Sequence, residues 1–365
     1  MSGSKLTQVY LRPLGIIDGD AAHAAVAGGW ALPLCGGPSA FTGCEIWRRR
    51  PQGIDRDLVV VAELAGWVRR QPDEAREQAA RLHERLLAPP SWPDGLPRRR
   101  LLLMGVVNVT PDSFSDGGAF FEPAAAIDHG LRLHAEGAAI VDVGGESTRP
   151  GADAVSADEE IRRVVPVIEA LARAGVLVSI DTRKAAVMRA AIAAGARMIN
   201  DVSALRHDPQ SLEAAGASGL PVVLMHSQGE PATMQLQPTY ERAPLDVFDH
   251  LAARVQAWTA AGYERARLIV DPGIGFGKTL DHNLEILGQL GLYLGLGLPV
   301  LLGASRKSFI GRLAAGAAPG ERLPGSLAAA LRALAGGVTI LRVHDVAATQ
   351  QAAAVWQALE RRATA

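Results

Sequence analysis

The chain has 365 residues, of which 48% are hydrophobic and 21% charged. That balance excludes disorder throughout, and the length leaves room for a (β/α)8 barrel of about 250 residues and an extra segment. With 37 basic and 38 acidic side chains the net charge is −1, so there is no global electrostatic basis for binding nucleic acid or an anionic membrane surface. Cys35 and Cys44, the two cysteines, are too few for a disulfide framework or a cysteine-built zinc site.

In chain order, residues 1–88 carry modest signals. Met1 to Leu14 lacks the apolar core of a signal peptide, and a cytoplasmic protein is expected. Leu58–Ala62 reads as a short strand. Asp73–Leu87 reads as a helix, with Asp73 and Glu74 at its positive end and Ala75, Ala79, Leu82 and Leu86 at helical spacing. This is a small α/β appendage without a catalytic motif. Residues 89–98 hold Pro89, Pro90, Pro93 and Pro97 and read as a linker, since proline continues neither a helix nor a central strand. Arg98-Arg99-Arg100 reads as a solvated domain edge. Because no candidate site residue precedes Asn108, residues 1–98 are expected to be dispensable for chemistry, and a chain starting near Pro97 to fold.

From residue 99 to 362 short apolar runs alternate with amphipathic helical stretches. The strand candidates are Leu101–Val109, Ala139–Val143, Val176–Ile180, Met198–Asn200, Pro221–Met225, Arg267–Val270, Pro299–Gly303 and Thr339–Val343, each followed by a helix candidate. Eight such units predict an α/β fold, a (β/α)8 TIM barrel with a small N-terminal α/β appendage. The apolar stretch Leu287–Ala304 contains Gln289, Pro299 and five glycines, and reads as a helix end and a strand, not a membrane span.

A barrel of this kind places functional residues at the C-terminal ends of its strands. All eight ends are polar. They run through Asn108–Gly118, Asp142–Gly151, Asp181–Lys184, Asn200–Ser203, His226–Gly229, Asp271–Lys278, Ser305–Ser308 and Arg342–Asp345. Asp181, Asn200, Asp271 or Asp345 alone could be a helix cap. Caps do not account for Lys307, Arg149, Arg342 and His344, four cations around one mouth, which suit a phosphate or pyrophosphate group. Gly273–Thr279 is not a P-loop, because Pro272 stands where the first glycine is needed. His129, His134 and His250 lie on helices, where a surface role is expected.

The segments Asn108–Gly118 and Asp271–Lys278 resemble the signatures of the dihydropteroate synthase family. Gly144–Gly151, Ser179–Thr182, Ser305–Ser308 and Arg342–Asp345 agree in order and spacing. Ser227 departs from the pattern, where a second methionine is usual. The resemblance implies an enzyme that joins 6-hydroxymethyl-7,8-dihydropterin pyrophosphate to 4-aminobenzoate in folate biosynthesis, the step that sulfonamides target. By the same resemblance Asp181, Asn200 and Asp271 bind the pterin, and Lys307 donates to its ring acceptors. Asn108 is implied as a ligand of Mg²⁺, Arg342 and His344 as the anion site, and Thr148 and Arg149 as the second loop. Ser308 would hold the aminobenzoate carboxylate, and Phe114, Pro150 and Phe276 would wall its ring. The implied mechanism is dissociative and needs no strong general base, with Gly117-Gly118 and Gly144-Gly145 as pivots of closing loops. A homodimer is also implied. A corrinoid methyltransferase on the same barrel would not need Asn108, Lys307 or the Arg342/His344 site.

Overall fold

The structure, a computed structural model, describes residues 7–109, 123–147, 155–229 and 233–362, apart from the side chains of the last two. Phe114, Gly117, Gly118, Thr148, Arg149 and Pro150 lie outside the described residues.

The N-terminal segment is built on an antiparallel sheet. Strand β3 (Ser39–Arg50) is its centre, pairing with β1 (Gln8–Asp18) along one edge and with β2 (Leu32–Leu34) and β4 (Gly53–Val60) along the other. Helices α1 (Gly19–Ala27), α2 (Val61–Arg69) and α3 (Asp73–Leu87) complete it. The expected helix Asp73–Leu87 is present with its expected buried stripe. The expected strand Leu58–Ala62 is instead the end of β4, because Val61 and Ala62 open α2. Local periodicity gives no signal for β1 and β3, whose partners lie dozens of residues apart.

The rest of the described chain is the barrel. Strands β5 (Leu102–Asn108), β6 (Ile140–Gly144), β7 (Val178–Asp181), β8 (Met198–Asp201), β9 (Val222–Met225), β10 (Leu268–Asp271), β11 (Leu301–Leu302) and β12 (Ile340–Val343) form one parallel sheet. They are interleaved with helices α4 (Pro123–Ala135), α5 (Ala157–Arg173), α6 (Ala185–Ala193), α7 (Ser211–Ala217), α8 (Ala243–Ala260), α9 (Leu280–Gly288), α10 (Ser308–Leu313), α11 (Leu323–Ala335) and α12 (Val346–Arg362). A bridge between Val270 and Val300 closes the circle. All eight expected strands are present, with ends shifted by one or two residues.

Strand periodicity sorts the side chains. Leu102, Met104, Ile140, Met198, Val223, Ile269, Leu301 and Ile340 come from seven strands yet form one buried cluster, which they can do only inside the barrel. Their neighbours Leu103, Val141, Ile199, Leu224, Val270 and Leu341 pack outward in the larger core under the helices. Two residues further along, the inward series becomes polar, at Asp142, Asn200, Asp271 and Arg342. The lower barrel is therefore a plug of hydrocarbon, and the upper barrel is the site.

Two findings revise the domain picture. Residues 89–98 contain no strand or helix, but they do more than connect. Leu96 is buried in the barrel's inner cluster with Trp92 packed against it, and the Trp92 indole N–H donates to the Leu96 carbonyl at 3.2 Å. The segment thus floors the barrel. The apolar run Leu290–Leu296 is a buried 3-10 turn, and residues of β1 and α3 cover it: a side-chain carbon added at Gly295 would sit 3.1 Å from Leu82, and one at Gly291 3.4 Å from Pro13. Polar ties reinforce this cover. The Tyr10 hydroxyl donates to Asp249 at 2.8 Å, Arg49 pairs with Asp249 at 2.8 Å and also with Asp246, and Arg12 donates to the Gly288 carbonyl at 3.2 Å. Among the described residues no helix is long and apolar enough to cross a membrane.

Candidate active site

The polar upper layer is organised by a residue to which the sequence motifs assign no role. Asp142 is fully buried on β6, and its Oδ2 accepts from the Asn200 amide at 3.0 Å and from Arg342 Nε at 2.7 Å. Arg342 Nη2 reaches Asp181 at 2.8 Å. One guanidinium thus joins the ends of β6, β7 and β12, and Asp142 ties β8 to them through Asn200. Burial works against the Arg342 charge, but Asp142 and Asp181 outweigh it and hold the group above its ordinary value. Burial pushes Asp181 up to about 7, and the nearby charge of Asp142 adds to this although Arg342 opposes it. Alternation alone points to Asp142, since it is the inward position two residues before Gly144.

A second group gathers on β10. Asp271 is buried, and its Oδ1 accepts from the Gly273 amide at 2.7 Å. Burial raises its carboxyl, with Lys307 pulling the other way. Lys307 precedes α10, after Arg306 at φ 57°, a left-handed turn. Its ammonium lies 4.6 Å from the Phe276 ring centre and donates to the Ile274 carbonyl. Burial brings Lys307 down to about 8 while the Asp271 charge supports its proton. The Lys307 ammonium, the Asp271 carboxylate and the Phe276 face therefore lie together at the mouth, where partial burial makes each charge worth more than in water.

The other expected residues that lie among the described ones, His344, Ser308 and Asn108, fall on the same mouth. His344 follows β12, and its backbone N–H and Nδ1 lie 3.2 and 3.1 Å from Ser305 Oγ. Arg306 and Asp345 join the adjacent loops at 3.0 Å. Ser308 is the first residue of α10 and is exposed. Asn108 ends β5, in register with Gly144. Asp181 and Asn200 are strand residues bonded to Arg342 and Asp142, Asp271 is a strand residue bonded to the Gly273 amide, and none of them caps a helix. Thr279 and Ser156 do that work on α9 and α5. His250 departs from its expected surface role: it stacks edge-on against His226, ring centres 4.7 Å apart.

No group of three or more histidine, cysteine or acidic side chains that could hold a metal occurs among the described residues. An ion at this mouth would therefore need oxygens from its ligand, and a neutral amide donor such as Asn108 suits a hard cation carried by a diphosphate.

Residues 104–344 match the family model for pterin binding enzymes. The dihydropteroate synthase of Escherichia coli is 48% identical over 257 residues, covering 70% of this chain and 90% of its own. The chain belongs to the dihydropteroate synthase family. Solved structures of the family agree in fold. The Xanthomonas albilineans dihydropteroate synthase with 4-aminobenzoic acid is 51% identical with a TM-score of 0.68, covering 72% of this chain and 93% of that one. The same organism's enzyme in complex with 7,8-dihydropteroate is 47% identical with a TM-score of 0.66, covering 73% and 95%. The barrel of a dihydropteroate synthase accounts for the matched region, and residues before it lie outside the family model.

Proposed function

We infer that the chain condenses 6-hydroxymethyl-7,8-dihydropterin pyrophosphate with 4-aminobenzoate, forming 7,8-dihydropteroate and releasing pyrophosphate. The observation that carries this reading is the joined array of Asp142, Asn200, Asp181 and Arg342 facing Asp271 and Lys307 in a family member. The pterin's amino-pyrimidinone edge is rich in N–H donors, and Asp181, Asn200 and Asp271 supply acceptors for them. Lys307 would donate to the ring's acceptors, and the Phe276 face would line the aminobenzoate with Ser308 at its carboxylate. Arg342, already fixed by two carboxylates, and His344 would receive the departing diphosphate. Arg149, Thr148, Phe114 and Pro150 complete the reading from the sequence alone. No side chain in the described mouth is arranged as a strong base, which suits attack by a weakly basic arylamine on a carbon whose bond to oxygen is already breaking. The reading includes a homodimer, which sedimentation measures directly.

Purified protein given Mg²⁺ and both substrates is expected to make dihydropteroate. Absence of product at high enzyme concentration, with the substrates verified, sinks the reading.

Asn108 would hold Mg²⁺ together with the diphosphate oxygens. The ion's chemistry is to neutralise charge on the leaving group. Asn108→Ala is therefore expected to weaken Mg²⁺-dependent pyrophosphate release while leaving the affinity for a pterin without diphosphate nearly unchanged. Calorimetry that shows the pterin affinity collapsing would mean that Asn108 touches the ring.

Asp181 also predicts a pH dependence. It must be ionised to accept from the pterin, and before binding, burial holds its proton up to about 7. As pH falls below that value, binding must displace a proton, so pterin affinity weakens by about tenfold per unit. Above it the affinity levels off. Calorimetry between pH 8 and 6 tests the slope, and Asp181→Asn should flatten it.

A further inference from the structure

The segment after β10, Gly273 to Gly277, crosses the mouth without helix or strand. It carries Phe276, and it is anchored in part by Ile274, fully buried in the core, and by Asn283, whose Oδ1 accepts from the Gly275 amide at 2.7 Å. Gly273 and Gly277 have φ of +67° and +59° and press on the neighbouring loop: an added side-chain carbon would lie 2.0 Å from the His226 carbonyl oxygen and 2.3 Å from that of Gln228. The turns that allow this approach point carbonyl oxygens inward, where they need a donor.

Lys278 supplies it. Its side chain is 3% exposed. The Nζ atom lies 2.8 Å from the Gly273 carbonyl oxygen, 3.0 Å from that of Phe276, 3.4 Å from that of His226 and 2.9 Å from His226 Nδ1. Burial pushes the Lys278 ammonium well below its ordinary value, and the Asp271 charge opposes this. The surroundings of Nζ favour the charged form, because carbonyl oxygens can only accept. An ammonium only donates, so Nδ1 is the acceptor and the His226 proton sits on Nε2. Burial keeps His226 well below its ordinary value, and Lys278 and His250 add to this, in agreement with a neutral ring. No carboxylate is among the hydrogen-bond partners of Lys278 in the described residues. The arrangement is a cage of carbonyl dipoles and one imidazole around a tethered cation, and it ties the β9 end to both ends of the β10 loop.

We propose that Lys278 is a positioning residue for the aminobenzoate half of the site: its caged ammonium fixes the loop that presents Phe276. The inference rests on the function proposed above. Asp271 belongs to β10 itself and keeps its place by strand pairing with Met225. Phe276 lies outside the sheet: its N–H donates to the Gly273 carbonyl at 3.2 Å, both that carbonyl and its own accept from Lys278, and Lys307 covers its ring. Loss of Lys278 therefore acts on one substrate more than on the other.

The test uses the full-length chain. Lys278→Ala removes an arm equal to propylammonium. It is expected to raise KM for 4-aminobenzoate by about tenfold, the scale of one lost charged hydrogen bond, and to leave KM for the pterin diphosphate nearly unchanged. Added propylammonium should restore the aminobenzoate KM. Amide exchange at Gly275, Phe276 and Gly277 should accelerate in the variant and slow again with propylammonium, a readout that does not depend on turnover. Should Lys278→Ala not fold, His226→Leu, which removes one acceptor, is expected to give the same split in weaker form. Equal changes in both KM values, or wild-type exchange in the loop, overturn the proposal. If the wild-type protein makes no dihydropteroate, the proposed function fails, and loop exchange still decides whether Lys278 fixes the loop.

Discussion

A chain beginning at Pro97 is expected not to fold cooperatively. That cut removes Trp92 and Leu96 from the barrel floor and uncovers the segment against which β1 and α3 pack. Leu290, Leu292, Leu296 and Leu298 are all nearly inaccessible. Each such leucine laid bare costs about 1.5–3 kcal/mol, against a typical total stability of about 5–15 kcal/mol. This replaces the expectation from sequence that residues 1–98 can be removed with the fold kept. A finer version is Leu96→Ala, expected to cost about 2–5 kcal/mol as a buried leucine lost from a packed core. Its kcat/KM should stay near wild type at temperatures where it is folded, because the described contacts of residues 7–98 run to the flank and floor of the barrel. Thermal unfolding followed by circular dichroism measures both. A Pro97 chain that melts cooperatively near the wild-type temperature would show that the cover and the plug contribute little.

Lys307→Ala is expected to lower kcat/KM by about 30-fold or more, which corresponds to about 2 kcal/mol of transition-state stabilisation. Three losses combine. The pterin acceptors lose a charged donor, the Phe276 ring loses the cation at 4.6 Å, and buried Asp271 loses the positive charge that opposes its desolvation. A solvated lysine at this position would give a change of less than about twofold, within the usual range for surface substitutions. Steady-state kinetics on both substrates distinguishes the two outcomes.

Much of this site is legible in the amino-acid sequence, for a definite reason. In a parallel barrel the inward positions alternate, so a polar residue at the end of an otherwise apolar strand faces either the mouth or a helix start. Asp181, Asn200, Asp271 and Arg342 meet that condition and are in the mouth. Asp142 meets it too, but it sits within its strand, two residues before the glycines that draw attention to the loop. Lys278 is hidden for another reason: nothing in a sequence shows that an ammonium will be surrounded by backbone carbonyls, and its neighbouring glycines suggest only a phosphate loop that fails. The antiparallel N-terminal sheet is likewise invisible. Gln8 pairs with Arg49 and Pro13 with Cys44, and pairing at such separations leaves little local mark. The Pro-rich stretch reads as a linker by its prolines, whereas Trp92 and Leu96 decide its role.

The way the N-terminal segment leans on the barrel has a consequence for how the protein is made. Tyr10 and Asp249 are separated by 239 positions. At about 5–20 residues per second, the tyrosine waits roughly 12–48 s before its partner has been synthesised. Leu290–Leu296 emerge later still. Throughout that interval the nascent chain carries the unburied side of β1 and α3, a surface open to wrong partners, while the barrel strands are added one by one. Docking of the two parts is a late, non-local event, of the kind that slows folding. The residues of β1 leave the ribosome well before the barrel strands yet are among the last to find their place.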